Sequence, residues 1–133
     1  MRSVVMLVVG LLAGAFGGSM ALRALTAGNE YPHGVMALLR VHHGGLRQAL
    51  ATGTCDAAGA AAHLATLRQV ALDIEPAFVP TGSDDAAFSA HARSLRERIA
   101  EAEAALGRGC PALTQATKAI GEACKACHRD FRG

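Results

Sequence analysis

Apolar residues recur every three or four positions over most of the chain after residue 28, and no window shows the apolar–polar alternation of a strand. This spacing places side chains on one face of a helix. Four such segments are separated by turn residues, and the connections between them are short. The pattern therefore predicts an all-α protein, an up-down-up-down antiparallel four-helix bundle.

The first two predicted helices have clear turn signals at their ends. The first begins after Asn29 as its cap, tolerates Pro32 in its opening turn, and runs to about Ala51. The second carries an apolar stripe that ends before Pro76, and a loop rich in Pro and Gly then extends to Ser83. The stripe of the second helix consists of Leu64, Leu67, Ala71 and Ile74.

The last two predicted helices carry the most regular apolar faces. The third starts at Asp84 or Asp85 and is ended by Gly107 and Gly109, and Pro111 opens the fourth. The apolar face of the fourth helix consists of Leu113, Ile120, Cys124, Cys127 and Phe131. Two cysteines therefore lie on the face that this helix turns to the core.

The N-terminal segment differs from the rest of the chain. Arg2 precedes an uncharged apolar run from Val4 to Leu22, which is interrupted by glycines and followed by Arg23. Small residues allow cleavage as a signal peptide, and the run is also long enough to serve as a membrane anchor. We expect residues 1–27 to form this export segment and residues 28–133 to form one domain. Either fate places that domain in the periplasm, outside the cytoplasm.

Composition and charge narrow the class of protein. The chain of 133 residues has no Trp, one Tyr and a formal net charge of +2. Few aromatic residues favour helices over sheets, and a nearly neutral charge offers no electrostatic case for nucleic acid as a partner. The sequence has no nucleophile and base constellation either, so we do not interpret it as an enzyme. We likewise expect no catalytic or metal role for His63 and His91.

The C-terminal motif Cys124-Lys125-Ala126-Cys127-His128 carries the candidate chemistry. Two thiols separated by two residues can form thioethers to the two vinyl groups of one haem, and the adjacent imidazole can bind the iron. A zinc site would need a second ligand pair, and a redox dithiol would sit in a strand–helix unit. The motif therefore predicts one covalent haem c near one end of the bundle, with His128 as the proximal iron ligand.

Helix lengths predict which residue of the first helix lies level with the haem. His128 lies about 18 residues, or roughly 27 Å, after the start of its helix, and Met36 lies about 19 residues before Cys55. Antiparallel packing would bring Met36 to the level of the haem. His33, one turn earlier, is an alternative ligand. His42 and His43 are too far along the helix and are expected to be polar or partly buried.

The sequence resembles the class II c-type cytochromes, namely cytochrome c′ and low-spin relatives such as cytochrome c556. The resemblance rests on the motif CKACHRDFR over residues 124–132 and on Gly34-Val35-Met36 in the first helix. It implies a haem at one end of the bundle and a first-helix residue, Met36, facing the iron. Low-spin members use such a Met as a ligand, whereas cytochrome c′ leaves the iron open to small gases. Arg132 matches a basic residue near the haem edge, but Pro32 stands where many members carry a basic residue.

Cys55 and Cys110 remain after the haem thiols are assigned. In the predicted bundle they occupy the first and third interhelical turns, at the end opposite the haem. We predict a disulfide between them, because export makes oxidation available. The alternative is two free buried thiols.

Three functions stay open at the level of sequence. The first is one-electron transfer in the periplasm, in which a redox partner protein docks at the haem edge on a basic rim of Lys125, Arg129 and Arg132. The second is binding of NO or CO at an open iron, and the third is a haem-free helical interaction module. The resemblance also implies a homodimer formed through the first two helices.

Overall fold

The computed structural model describes residues 30–51, 55–78 and 85–131, together with residues 6, 8, 10–12 and 14–18. The chain divides into two compact units, Met1–Tyr31 and Pro32–Gly133. In the first unit the described residues before position 30 are helical and exposed. Within the described ranges, no helix is both long enough and apolar enough to cross a membrane. The predicted boundary after residue 27 stays a prediction.

The described residues from position 30 onward form four long helices and one short helix. They are α1 (Glu30–Ala51), α2 (Ala57–Val70), α3 (Ile74–Phe78), α4 (Asp85–Ala105) and α5 (Cys110–Phe131), with a 3₁₀ turn at Leu106–Arg108 before α5. No strand occurs in the described parts of the chain. The predicted all-α bundle is therefore confirmed, and the predicted ends of the first and last helices are close to those observed.

Side-chain contacts between helices establish the antiparallel order. His43 of α1 contacts Thr117 of α5, in the middle of both helices. Near the start of α4, His91 contacts Asp130 at the end of α5. Two ion pairs connect α2 and α3 to α4. Arg68 pairs with Glu103, whereas Glu75, later in the chain, pairs with Arg96, which is earlier in α4. Neighbouring helices of the bundle thus point in opposite directions, which is the arrangement that short connections favour.

Local signals explain where the helices begin and end. The Asp56 side chain accepts a hydrogen bond from the backbone N–H of Ala58 at 3.0 Å, which satisfies one of the free donors at the start of α2. Gly109, with φ 87°, adopts the left-handed region that ends the 3₁₀ turn and allows α5 to start at Cys110.

The prediction around Pro76 was wrong. The second predicted helix stops at Val70, and Pro76 lies inside α3 instead of opening a loop. Pro76 is the third residue of α3, where a backbone N–H has no intrahelical acceptor to lose, so proline is tolerated there. Residues 79–83 of the predicted loop lie outside the described residues.

The core runs along the axis of the bundle and draws on all four long helices. The fully buried large side chains are Leu46, Leu64, Leu67, Ile99 and Ile120. Small buried residues, including Ala60, Ala92 and Ala102, let helix backbones approach one another closely. These alanines therefore contribute to packing as well as to helix propensity.

A disulfide joins Cys55 to Cys110 in the structure, with the Cα atoms 5.8 Å apart. Cys55 precedes α2, and Cys110 is the first residue of α5. The bond therefore ties together two helix starts at the end of the bundle opposite Phe131.

Candidate haem site

The two cysteines of the motif lie on the last two turns of α5. Cys124 and Cys127 are both half-buried free thiols, and Cys124 packs against the hydrophobic core. Positions 124, 127 and 128 span an arc of about 100° on a helix, so the three side chains leave α5 on one side. His128 is exposed and makes no hydrogen bond or ion pair among the described residues. Its imidazole is therefore available to a ligand.

The apolar setting changes the acidity of both thiols. Burial raises the pKa of the Cys124 thiol, and the neighbouring Cys127 raises it further. Burial also raises the pKa of the Cys127 thiol, with a second contribution from the charge of Asp130. Both groups therefore stay as neutral thiols at neutral pH. A pair of uncharged, half-buried thiols next to an apolar core suits a large apolar macrocycle better than a metal ion held by thiolates.

The last turn of α5 is anchored to α4 by three contacts. The ring of Phe131 packs edge-on against Phe88, with centroids 5.3 Å apart, and lies 5.7 Å from the ring of His91. The Nε2 of His91 lies 2.9 Å from Oδ2 of Asp130. These contacts hold the turn that carries His128. His91 and Asp130 are 39 residues apart, and no spacing signal in the sequence could have paired them.

A contact in the middle of the bundle sets the register between α1 and α5. His43 Nε2 donates to the Thr117 carbonyl oxygen at 3.2 Å. A Cβ placed on Gly121 would lie 3.2 Å from His43 Cε1, so the absence of a side chain at 121 lets the imidazole approach α5. His43 was expected only to be polar or partly buried. The structure confirms that it is partly buried, and it adds an interhelical role.

This register brings Met36 to the level of the haem motif. Met36 lies seven residues from His43, and His128 lies seven residues from Gly121; both intervals correspond to about 10 Å of helix rise. Because α1 and α5 are antiparallel, both intervals lead toward the same end of the bundle. Met36 is half-buried and packs against the core. His33, the alternative ligand, is exposed.

The surface around the motif carries a negative as well as positive side chains, whereas the sequence suggested a basic rim. Lys125 donates to Glu122 at 2.8 Å, so the positive charge of Lys125 is partly offset. The pKa of the Glu122 carboxyl is lowered, first by the hydrogen bond from Lys125 and then by its charge, with a smaller contribution from Arg129. Arg129 is exposed, and Arg132 lies outside the described residues.

A Cys-x-x-Cys-His motif on the last helix of an antiparallel helical bundle defines a class II c-type cytochrome. Residues 29–132 match the family model of cytochrome c′, so the chain belongs to this family. The resemblance seen in the sequence is thereby confirmed.

Solved structures of this family share the fold. Cytochrome c′ from Rubrivivax gelatinosus is 26% identical, with a TM-score of 0.67 over 80% of this chain and 94% of that one. A point mutant of the Alcaligenes xylosoxidans protein in complex with nitric oxide is 24% identical, with a TM-score of 0.72 over the same shares. A second nitric oxide complex from that organism has a TM-score of 0.69 at 24% identity, over 77% of this chain and 91% of that chain. No curated protein matches the chain.

Membership of this family settles the class of cofactor. The family binds one covalent haem c, which sets aside the haem-free interaction module. The donor set fits this group, because α5 offers two free thiols, one unpartnered imidazole and an apolar wall on the same side. No group of three or more His, Cys, Asp or Glu side chains among the described residues forms a competing metal site.

Proposed function

We propose that this cytochrome carries one electron at a time between periplasmic proteins, and that the side chains of His128 and Met36 would hold the haem iron. The observation that supports this choice is the common level of Met36 and His128, given by the His43 contact with Thr117 and Gly121. When bound, the haem supplies the one-electron ferric–ferrous couple.

Each residue of the motif has a definite role in this proposal. Cys124 and Cys127 form the two thioethers, and His128 is the proximal ligand. The thioether of Met36 is an uncharged, polarisable donor, and such an axial ligand favours the reduced state. Arg132, at the end of the chain, is assigned to the haem edge.

The rest of the bundle holds these ligands still. Val35 and Leu39, on either side of Met36 along α1, are buried in the core, and the His43 contact joins α1 to α5. On the other side, Phe131 and Asp130 fix the last turn of α5 against α4. The packed core therefore keeps the distance between α1 and α5 nearly constant when the charge at the site changes by one.

A redox partner would dock on the exposed end of α5. Lys125 and Arg129 are exposed there, and Glu122 offsets part of their charge. We therefore expect a weak complex whose association rate falls as salt is added, since exposed charges guide encounter more than they add affinity. The N-terminal segment, residues 1–27, is assigned to export, either as a cleaved signal or as an anchor.

Gas binding is the second candidate. Two of the structural relatives are mutants of cytochrome c′ in complex with nitric oxide. In this alternative Met36 would pack beside the iron without binding it, which would leave room for NO or CO to bind there.

The optical spectrum of the ferrous protein with and without CO separates the two functions. For the electron carrier we expect sharp low-spin bands that CO does not change, and in Met36→Leu a high-spin spectrum that shifts on addition of CO. Leu38→Ala is the matched control, because Leu38 is an exposed residue of the same helix and should leave the spectrum as in the wild type. A wild-type spectrum that is high-spin and responds to CO would refute axial ligation by Met36 and would favour gas binding.

A further inference from the structure

A pair of histidines joins α1 to α2 away from the haem site. His42 Nδ1 lies 3.1 Å from His63 Nδ1, and the two rings meet edge to face with centroids 5.3 Å apart. Both side chains are half-buried. His42 is six residues, or about 9 Å, from Met36 along α1, so the pair does not belong to the haem ligands.

Gly45 makes room for this pair. A Cβ at position 45 would lie 2.6 Å from His63 Cε1 and 2.8 Å from His63 Nε2, closer than real contacts allow. The imidazole of His63 therefore occupies the space that a side chain at 45 would fill. The adjacent Gly44 has nothing within 4 Å of such a Cβ. Of the two glycines, only Gly45 therefore makes space for the His63 ring.

Two imidazole nitrogens at this distance can share one hydrogen, with one ring donating and the other accepting, or they can bind one metal ion together. If each Nδ1 presented a lone pair, the two would repel, so they must share either a proton or a metal ion. Two zinc–nitrogen bonds of 2.0–2.1 Å separate their nitrogens by about 2.9 Å at a right angle and about 3.4 Å at the tetrahedral angle. The observed 3.1 Å lies between these values.

We propose that His42 and His63 form a binding site for a divalent first-row transition-metal ion, held through the two Nδ1 atoms. Nitrogen donors without a carboxylate select ions such as Zn²⁺ and Cu²⁺ over Mg²⁺ and Ca²⁺. No third His, Cys, Asp or Glu among the described residues completes the set, so water fills the other positions. The site is therefore open and exchangeable, unlike a closed structural zinc site. This inference does not depend on the function proposed for the haem.

Calorimetric titration of the untagged ferric holoprotein with Zn²⁺ tests the site. His42→Gln and His63→Gln keep a hydrogen-bonding side chain but remove the imidazole. Gly45→Ala keeps both ligands but displaces the His63 ring, and Gly44→Ala is its matched control. His91→Gln tests a second pair of possible ligands, His91 and Asp130. The haem spectrum and circular dichroism of each variant report that it is folded.

We expect one zinc ion to bind the wild type. Loss of a second-shell partner alone weakens metal binding about 10–100-fold, so removal of a direct ligand should cost at least about tenfold. His42→Gln, His63→Gln and Gly45→Ala should all show this loss, whereas Gly44→Ala and His91→Gln should bind as the wild type does. The proposal is overturned if the wild type binds no zinc, if either glutamine variant binds as tightly as the wild type, or if the affinity is lost in His91→Gln.

Discussion

Removal of the Cys55–Cys110 disulfide is the sharpest test of how this bundle is stabilised. The bond closes a loop with a sequence separation of 55 residues, and it joins the starts of α2 and α5. The haem thiols lie near the other end of α5, so the double variant Cys55→Ser/Cys110→Ser leaves the cofactor site intact. It removes a constraint that acts mainly on the unfolded chain.

The expected effect is large for a domain of this size. Loop-closure entropy for n = 55 gives about 14 cal/mol/K, or about 4 kcal/mol at 25 °C. Small domains have a total stability of about 5–15 kcal/mol, so this is a substantial fraction of the whole. With an unfolding entropy of about 2.1 cal/mol/K per residue over roughly 100 residues, the midpoint temperature should fall by about 20 °C.

Urea unfolding of the oxidised holoprotein, followed by far-ultraviolet circular dichroism, measures this loss. The m-value should rise in the variant, because an unfolded chain without the cross-link exposes more surface. The single variants Cys55→Ser and Cys110→Ser serve as controls. Each should lose as much stability as the double variant, since either one removes the same cross-link.

Two results would contradict this reasoning. Single-variant losses that sum to the loss of the double variant would mean that local packing of each side chain, and not the cross-link, provides the stability. A double variant within about 1 kcal/mol of the wild type would mean that loop closure contributes little. Thiol counting on the denatured, unreduced protein provides an independent check, and two reactive thiols there would mean that the bond does not form.

Two further predictions concern the core and the α3–α4 contact. Leu64→Ala should cost about 2–5 kcal/mol of unfolding free energy, because Leu64 is fully buried, whereas Leu72→Ala, at an exposed site, should change it by less than about 0.5 kcal/mol in the same urea titration. Hydrogen bonds from Ser89 and Arg96 lower the pKa of the Glu75 carboxyl below its ordinary value of 4.5. Glu75→Gln should therefore cost up to about 1 kcal/mol above pH 5, and this difference should shrink as the pH falls through the lowered pKa; a difference that grows in acid would contradict the assignment.

Helix positions were predictable because their signals are local. The first predicted helix begins after its cap Asn29 and runs to about Ala51, which matches α1, and the fourth coincides closely with α5. Apolar spacing, caps and glycine act over a few residues, so they can be read along the chain. Pro76 misled the prediction, because proline is also compatible with the first turn of a new helix.

The candidate site also has features that could be predicted from the sequence and features that could not. Cys124, Cys127 and His128 lie within five consecutive positions on one helix, and the chemistry of their thiols and imidazole requires only that spacing. The antiparallel order followed from short connections, and it already suggested the level of Met36. These parts of the protein were determined by the sequence itself, since each rests on the geometry of one segment or on the short connections between successive helices.

Tertiary structure alone decided which distant side chains meet. His91 and Asp130 are 39 residues apart, His42 and His63 are 21 apart, and His43 and Thr117 are 74 apart. Each pair depends on the rotation and crossing of two helices, which are set by how the whole core packs. Apolar spacing specifies the face that a helix buries, but it does not specify the neighbour that each polar side chain meets.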